Sequence, residues 1–390
     1  MRSQQIVTAS PEGRPVVRRP ALSLVLCSRN DRYQGDSVWR LQTALDYAGR
    51  RVAELGREDD VEIVVSDWGS EFPLRERLEL TPEAARIVRF LTIPPEIARA
   101  EQKDSPFPEV LALNAAVRRA SGEYIGRIDQ DTLVGRRFFE TFFWLREKRR
   151  LLVPLESTVM ISNRRGIPYR FAVRRPSSWA IDRYLDRRRN SLSLHERPPQ
   201  PEACYFYLVF IGIYLMHRDI WEHCRGFDES FIYMDHMETD LTLRLSAGYH
   251  VIDLGAIVDH SFYHLDHEHP RVSRSRSRDH RKANPLRSLD DMPPALVPNS
   301  PGWGLARYPF EPLPAAAVTQ PVAQSALARA MRRPAFLGLA LVSSAQTLFD
   351  PFILAVATQL WRSYHRCRRL LGWLGARYVR RQLTRLGSSR

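Results

Sequence analysis

Residues 21–27, ALSLVLC, make an apolar run broken only by Ser23. A strand with one wet face alternates apolar and polar residues, so a run of this kind belongs to a strand covered on both faces, as in a parallel sheet. A polar loop, SRNDRYQGD, follows, and from Val38 to Leu55 the residues Val38, Leu41, Leu45 and Ala48 recur at helical spacing. VEIVVSDWGS (61–70) repeats the design, with Asp67 where the apolar run ends. Arg86–Leu91 reads as a third short strand, Val110–Ala120 as a helix, and Tyr124, Ile125 and Ile128 as a further buried strand. Strands alternating with helices predict an α/β domain with a mostly parallel sheet flanked by helices. Tyr205–Met216, interrupted by Gly212, returns to the core. Leu241, Leu243 and Leu245 surround Arg244 in a helix closed by Ala247 and Gly248, and HVIDLGAIVDH supplies one more strand.

The 390 residues suffice for one large α/β domain with extensions. Residues 1–20 are polar and proline-broken, a loose leader without the apolar run of a secretory signal, which predicts a cytoplasmic catalytic part. The domain is expected over 21–270, a Pro/Arg/Ser-rich linker over 271–334, and a helical extension over 335–390. Four scattered cysteines offer neither a zinc spacing nor a disulfide framework. The net charge of +14 is carried almost wholly by arginine, since Lys103, Lys148 and Lys282 are the only lysines. Such a balance attracts anions: nucleic acid, acidic lipid or a phosphorylated substrate. The arginine-rich stretch between 138 and 203 reads as a solvated surface excursion that can border an acceptor site.

Chemistry concentrates in the acids. GEYIGRIDQDTLVG (122–135) sets Asp129 and Asp131 two residues apart where a buried strand ends, and in open α/β sheets ligands bind beyond the carboxyl ends of strands. Carboxylates so placed either serve turn chemistry or hold a hard cation, Mg²⁺ or Mn²⁺, shared with phosphates of a substrate. A second acidic group, Asp235, Glu238 and Asp240, stands at a helix start, where the helix dipole alone favours negative charge. His260, His264, His267 and His269 crowd the region after the last strand.

Taken in order, these segments over Ala21–His269 resemble the GT-A glycosyltransferases, in particular those of the family 2 type. LVLCSRND matches the family's first strand and loop, VVSDWGS its base-binding acid, ALNAAVRRASGEYIGRIDQD its asparagine-bearing helix and Asp-x-Asp site, and GFDESF with METDLTLRLSAGY its acceptor-side segments. The resemblance implies a GT-A fold and a metal-dependent, inverting transfer of a sugar from a nucleotide diphosphate, most simply a uridine one, to a hydroxyl of a glycan or lipid-linked acceptor. It implies nucleotide contacts from Ser28, Arg29, Asn30, Asp67, Asn114 and Asp129, and a divalent metal on Asp129, Asp131 and His260, with His264 next in line. It puts the catalytic base at Glu238, with Asp235 and Asp240 as reserves. Trp68 stands where the family often has a second acid, and Met237 where it has glutamate.

Ala335–Trp361 is apolar, but Asp350 and Pro351 split it into halves each too short to span a bilayer. Beyond it, Arg362, Arg366, Arg369, Arg377 and Arg380 share one helical face, a pattern suited to an anionic membrane surface. The chain is therefore expected to lie on the inner face of the cell membrane. A nucleotidyltransferase is the alternative enzyme, though the glycine-rich phosphate loop it needs after the first strand is missing. A non-enzymatic basic adaptor of membrane or nucleic acid is the alternative outside enzymes. Nucleic acid is not expected as a partner, because the acids cluster centrally and the arginines in the tail.

Overall fold

The opening apolar run becomes strand β1, Leu22–Ser28, buried along its whole length. The computed structural model describes residues 8–9, 15–16, 19–32, 35–148, 154–192, 212–233, 237–246, 248–254, 261–267, 284 and 296–314. Helix α1, Ser37–Ala53, buries Leu41, Leu45, Ala48 and Val52 on one face, the i, i+4, i+7 pattern of an amphipathic helix. Strand β2, Val61–Trp68, is again buried throughout.

The third strand departs from the sequence expectation. Arg86 lies in a short helix α2, Pro82–Ile87, whose start is set by Thr81 accepting the Ala84 amide and by proline in the first turn. Strand β3 begins only afterwards, Val88–Ile93. Then come α3, Glu109–Arg119, and β4, Tyr124–Arg127. Next are β5, Thr132–Val134, α4, Arg136–Lys148, β6, Thr158–Ser162, and β7, Arg165–Ile167. Helix α5, Ser178–Arg188, precedes β8, Ile213–His217, and α6, Arg218–Cys224. The chain continues through α7, Met237–Ser246, β9, His250–Asp253, β10, Phe262–Leu265, and β11, Leu313–Pro314.

The main sheet has the order β9-β6-β8-β4-β1-β2-β3-β11. Only β8 and β11 run against the other six strands. The α/β class and the mostly parallel sheet flanked by helices agree with the sequence reading. The chain steps from β1 to β2 on one side and returns to β4 on the other, so the strand order reverses between β1 and β4. Ligands of open α/β sheets bind beyond the carboxyl ends of strands at such a switch point, and here those ends are Ser28, the last residue of β1, and the turn that follows Arg127. Apolar side chains of α1, α2 and α4 cover one face of the sheet, and those of α3, α6 and α7 the other. A three-stranded sheet, β5-β10-β7, accompanies the main one, with His264 opposite Thr132.

Residues 296–314 correct the expected linker. Trp303 and Leu305 are buried in the core, and β11 pairs with β3. Arg119 donates to the carbonyls of Gly304, Leu305, Tyr308 and Phe310. Proline-rich composition concealed this packing, because the segment is held by backbone carbonyls and single aromatics rather than by a periodic apolar face. Residues 335–390 and the membrane contact assigned to them lie outside the described residues. Among the described residues no helix is long and apolar enough to cross a membrane.

Candidate active site

The turn after β4 carries both acids of the Asp-x-Asp pair, and β10 brings the histidines to it. The Leu265 amide donates to the Asp131 carbonyl at 3.1 Å, a register that lays His264 and His267 against the Asp131 side chain. His264 Nδ1 lies 3.1 Å from Asp131 Oδ1 and His267 Nε2 3.6 Å from Oδ2. Asp131, His264 and His267 each offer a ligand atom, all within 4.8 Å of one another. One carboxylate and two imidazoles, all buried, fit a divalent cation. Two nitrogen ligands suit Mn²⁺ or a neighbouring transition ion better than Mg²⁺, which prefers all-oxygen shells. Burial alone would raise the Asp131 carboxyl, but His264, Arg164 and His267 overturn this and hold it well below the usual carboxylate range.

Asp129 lies between Arg127 and Arg164. Arg127, only 3 % exposed, places one nitrogen 2.7 Å from Asp129 Oδ1, 2.8 Å from Glu109 Oε1 and 3.1 Å from Glu238 Oε1. Three carboxylates thus share one buried guanidinium. Burial, reinforced by the Glu109 and Asp129 charges and opposed by Arg127, pushes the Glu238 carboxyl up to about 8. A carboxyl raised in this way is a stronger proton acceptor than an ordinary glutamate, and it acts as a base once ionised. Burial also raises Glu109, against the pull of Arg127.

At the end of β1, Ser28 donates to Gln130 Oε1 at 2.5 Å. The Arg29 guanidinium reaches Asp31 and the Pro106 carbonyl, and Asn30 pairs with Ser70 and the Phe72 carbonyl. Asp67 is fully buried behind this loop. One of its oxygens accepts from the Ser70 hydroxyl and the other from the Leu74 amide at 2.7 Å, and burial raises its pKa. Its carboxylate thus shapes the turn under the loop.

Asn114 is fully buried too. It donates to the Phe227 carbonyl and Glu229 Oε1 and accepts from the Phe227 amide, clamping the GFDE segment onto α3. Gly226, at φ +73°, sits so close that a Cβ would strike the Asn114 side chain. Asn114→Ala is expected to lower unfolding free energy by roughly 2–4 kcal/mol, because it strands several buried partners; urea denaturation measures this. Asp240 is locked in a buried pair with Arg244 at 2.8 Å, and Arg244 in turn donates to the carbonyls of Leu296 and Gly226. That pair anchors α7, while the other acid of the helix, Glu238, reaches Arg127. Asp235 and His260 lie outside the described residues.

The structure thus brings together Asp129, Asp131, Glu238 and His264, with the loop 28–30 alongside, while Asp67, Asn114 and Asp240 serve the scaffold beneath. Sequence reading missed Arg127, Glu109, Arg164 and Arg40. Arg127 carried a signal, a charge inside the apolar strand YIGRI; the other arginines were hidden by the arginine-rich composition.

No family model matches the chain, and no curated protein does. Among solved structures, S. aureus TarS 1-349 aligns at 11% identity with a TM-score of 0.39, over 63% of this chain and 60% of that one. Its complex with UDP aligns at 12% and 0.39 over the same shares. The complex with UDP-GlcNAc aligns at 12% and 0.34, over 64% of this chain and 59% of that one. The chain spans about 60% of the length of these structures. Likeness at this level leaves the functional reading to the site's own residues.

Proposed function

We propose that the chain is a glycosyltransferase that moves a sugar from a nucleotide diphosphate to an acceptor hydroxyl with inversion at the anomeric carbon. The observation that carries this reading is the convergence, at the strand-order switch point, of Glu238 and Asp129 on Arg127 with the Asp131–His264–His267 set and the polar segment 28–30. Glu238 takes the proton of the acceptor hydroxyl; the oxygen bonds to the anomeric carbon as the bond to the diphosphate breaks, and the proton stays on Glu238. Arg127 holds Glu238 in place and limits the charge that gathers among three carboxylates. Ser28, Arg29 and Asn30 border the donor side, with Asp67 and Asn114 bracing the loop and the GFDE segment behind. A divalent cation held by Asp131, His264 and His267 would neutralise charge on the departing diphosphate; the two imidazoles favour Mn²⁺ over Mg²⁺. The acceptor is a glycan or a lipid-linked one.

The test is a screen of nucleotide sugars for hydrolysis and transfer with and without Mn²⁺. Turnover of one donor to nucleoside diphosphate supports the reading. Release of pyrophosphate from a nucleoside triphosphate and a sugar phosphate would instead identify a nucleotidyltransferase.

Residues 335–390 support a place on the inner face of the cell membrane, through their basic amphipathic pattern. Flotation with anionic liposomes should be strong at low salt and weaken at high salt, each near-surface arginine adding about 1 kcal/mol. Deleting 335–390 should abolish it. Salt-independent flotation, or none, would remove the membrane assignment.

A further inference from the structure

Arg164 leaves the turn between β6 and β7 and reaches both acids of the Asp-x-Asp pair. Its Nη1 lies 2.5 Å from Asp129 Oδ2, 3.3 Å from Asp131 Oδ1 and 3.1 Å from Thr132 Oγ1. The other Asp129 oxygen is held by Arg127, and the other Asp131 oxygen faces His267 and the Arg40 guanidinium, each at 3.6 Å. The chain's own arginines therefore surround the two carboxylates, and Arg164 is the one that bridges them.

We infer that Arg164, bridging Asp129 and Asp131, is a built-in counter-ion that competes with a divalent cation for Asp131. The inference rests on the metal and nucleotide reading above and assigns a role to a residue outside it. A cation held on Asp131 would share that carboxylate with a guanidinium 3.3 Å from its Oδ1. Arg164 is only 11 % exposed, so water screens the like charges poorly.

Of the three arginines here, Arg164 is the one able to give way. Arg127 sits within β4 and Arg40 within α1, each with a side chain 3 % exposed. Arg164 stands on a short connection whose ends are fixed without it. The Ser162 carbonyl accepts the Gly212 amide, and Arg165 donates to the Leu192 carbonyl. A guanidinium displaced from two carboxylates needs another anion, and a diphosphate matches its planar fork. Nucleotide diphosphate and cation should then bind cooperatively, each tightening the other by the same factor.

The experiment is Mn²⁺ titration of the full chain, followed by the electron paramagnetic resonance signal of free Mn²⁺, with and without UDP. UDP binding is measured separately by calorimetry. Arg164→Gln should bind Mn²⁺ alone about tenfold more tightly than wild type, and UDP should tighten that binding by a smaller factor than in wild type. Arg164→Ala serves as a second neutral replacement should the glutamine variant misfold, and Arg164→Lys, which keeps the charge, should stay near wild type. Equal Mn²⁺ affinity in wild type and both neutral variants, or equal tightening in the lysine variant, overturns the inference. If the neutral variants bind Mn²⁺ more tightly while UDP binds to none of the proteins, the counter-ion role stands and the nucleotide-sugar reading falls.

Discussion

Glu238→Gln is expected to slow sugar transfer by about 10²–10⁴-fold, the contribution of a positioned general base, while donor binding stays at the wild-type level. The amide keeps the size of the side chain and still accepts from Arg127, 3.1 Å away from the carboxylate it replaces, but it cannot take a proton. Single-turnover transfer measured beside calorimetric UDP binding separates the two effects. Near-normal transfer would remove Glu238 from the chemistry.

The pH profile gives a second reading of the same residue. With its carboxyl pushed up to about 8, Glu238 is competent as a base only once ionised, so kcat/KM should rise with pH through that region and flatten above it. Stability should move the other way. A carboxyl whose folded pKa lies above its unfolded value binds its proton more tightly when folded, so stability is lost as pH climbs from the ordinary glutamate value of 4.5 toward 8. Glu238→Gln removes that loss, and its melting temperature should exceed that of wild type above pH 8. Profiles of kcat/KM and of thermal melting over pH 5–9 check both signs.

The parallel core was legible because ALSLVLC and VEIVVSDW have to be covered on both faces, and one face pattern admits few folds. Positions of single polar groups were less so. Asp67 and Asn114 were readable as significant, yet only their partners, Ser70 and Leu74 for one and Phe227 and Glu229 for the other, reveal that they brace the site from behind. The helix start at Thr81 competed with a strand pattern over 86–91 and prevailed through its cap. His267 and Arg164 come to Asp131 from residues 136 and 33 positions away in the chain, a convergence made by the β5-β10-β7 pairing that no local spacing encodes. Glu109 and Arg127 meet for the same reason: helix α3 and strand β4 are placed side by side by packing, not by a motif.

Asp131→Asn is expected to weaken Mn²⁺ binding by more than about 100-fold, beyond the range seen when only a supporting residue is lost. Asp131 is the single carboxylate in a set whose other members are His264 and His267, so its charge is what makes the set favourable for a cation. The same residue balances Arg40 and Arg164 inside the fold and lies 3.1 Å from His264 Nδ1. The asparagine variant should therefore also lose roughly 3–5 kcal/mol of stability at pH 7, the cost of breaking a buried pair from one side, while remaining folded. A carboxyl held well below its unfolded pKa stabilises the fold above the ordinary aspartate value of 3.8, and that contribution is lost as pH falls toward the folded pKa. The stability gap between wild type and Asp131→Asn, measured by urea denaturation in the presence of a chelator, should thus be widest near neutrality and close below pH 3.8. Mn²⁺ titration completes the test. Unchanged Mn²⁺ affinity together with a stability gap would make Asp131 a purely structural counter-charge. Weakened binding with no stability gap would mean that the arginines around it find other partners and that Asp131 serves the cation alone.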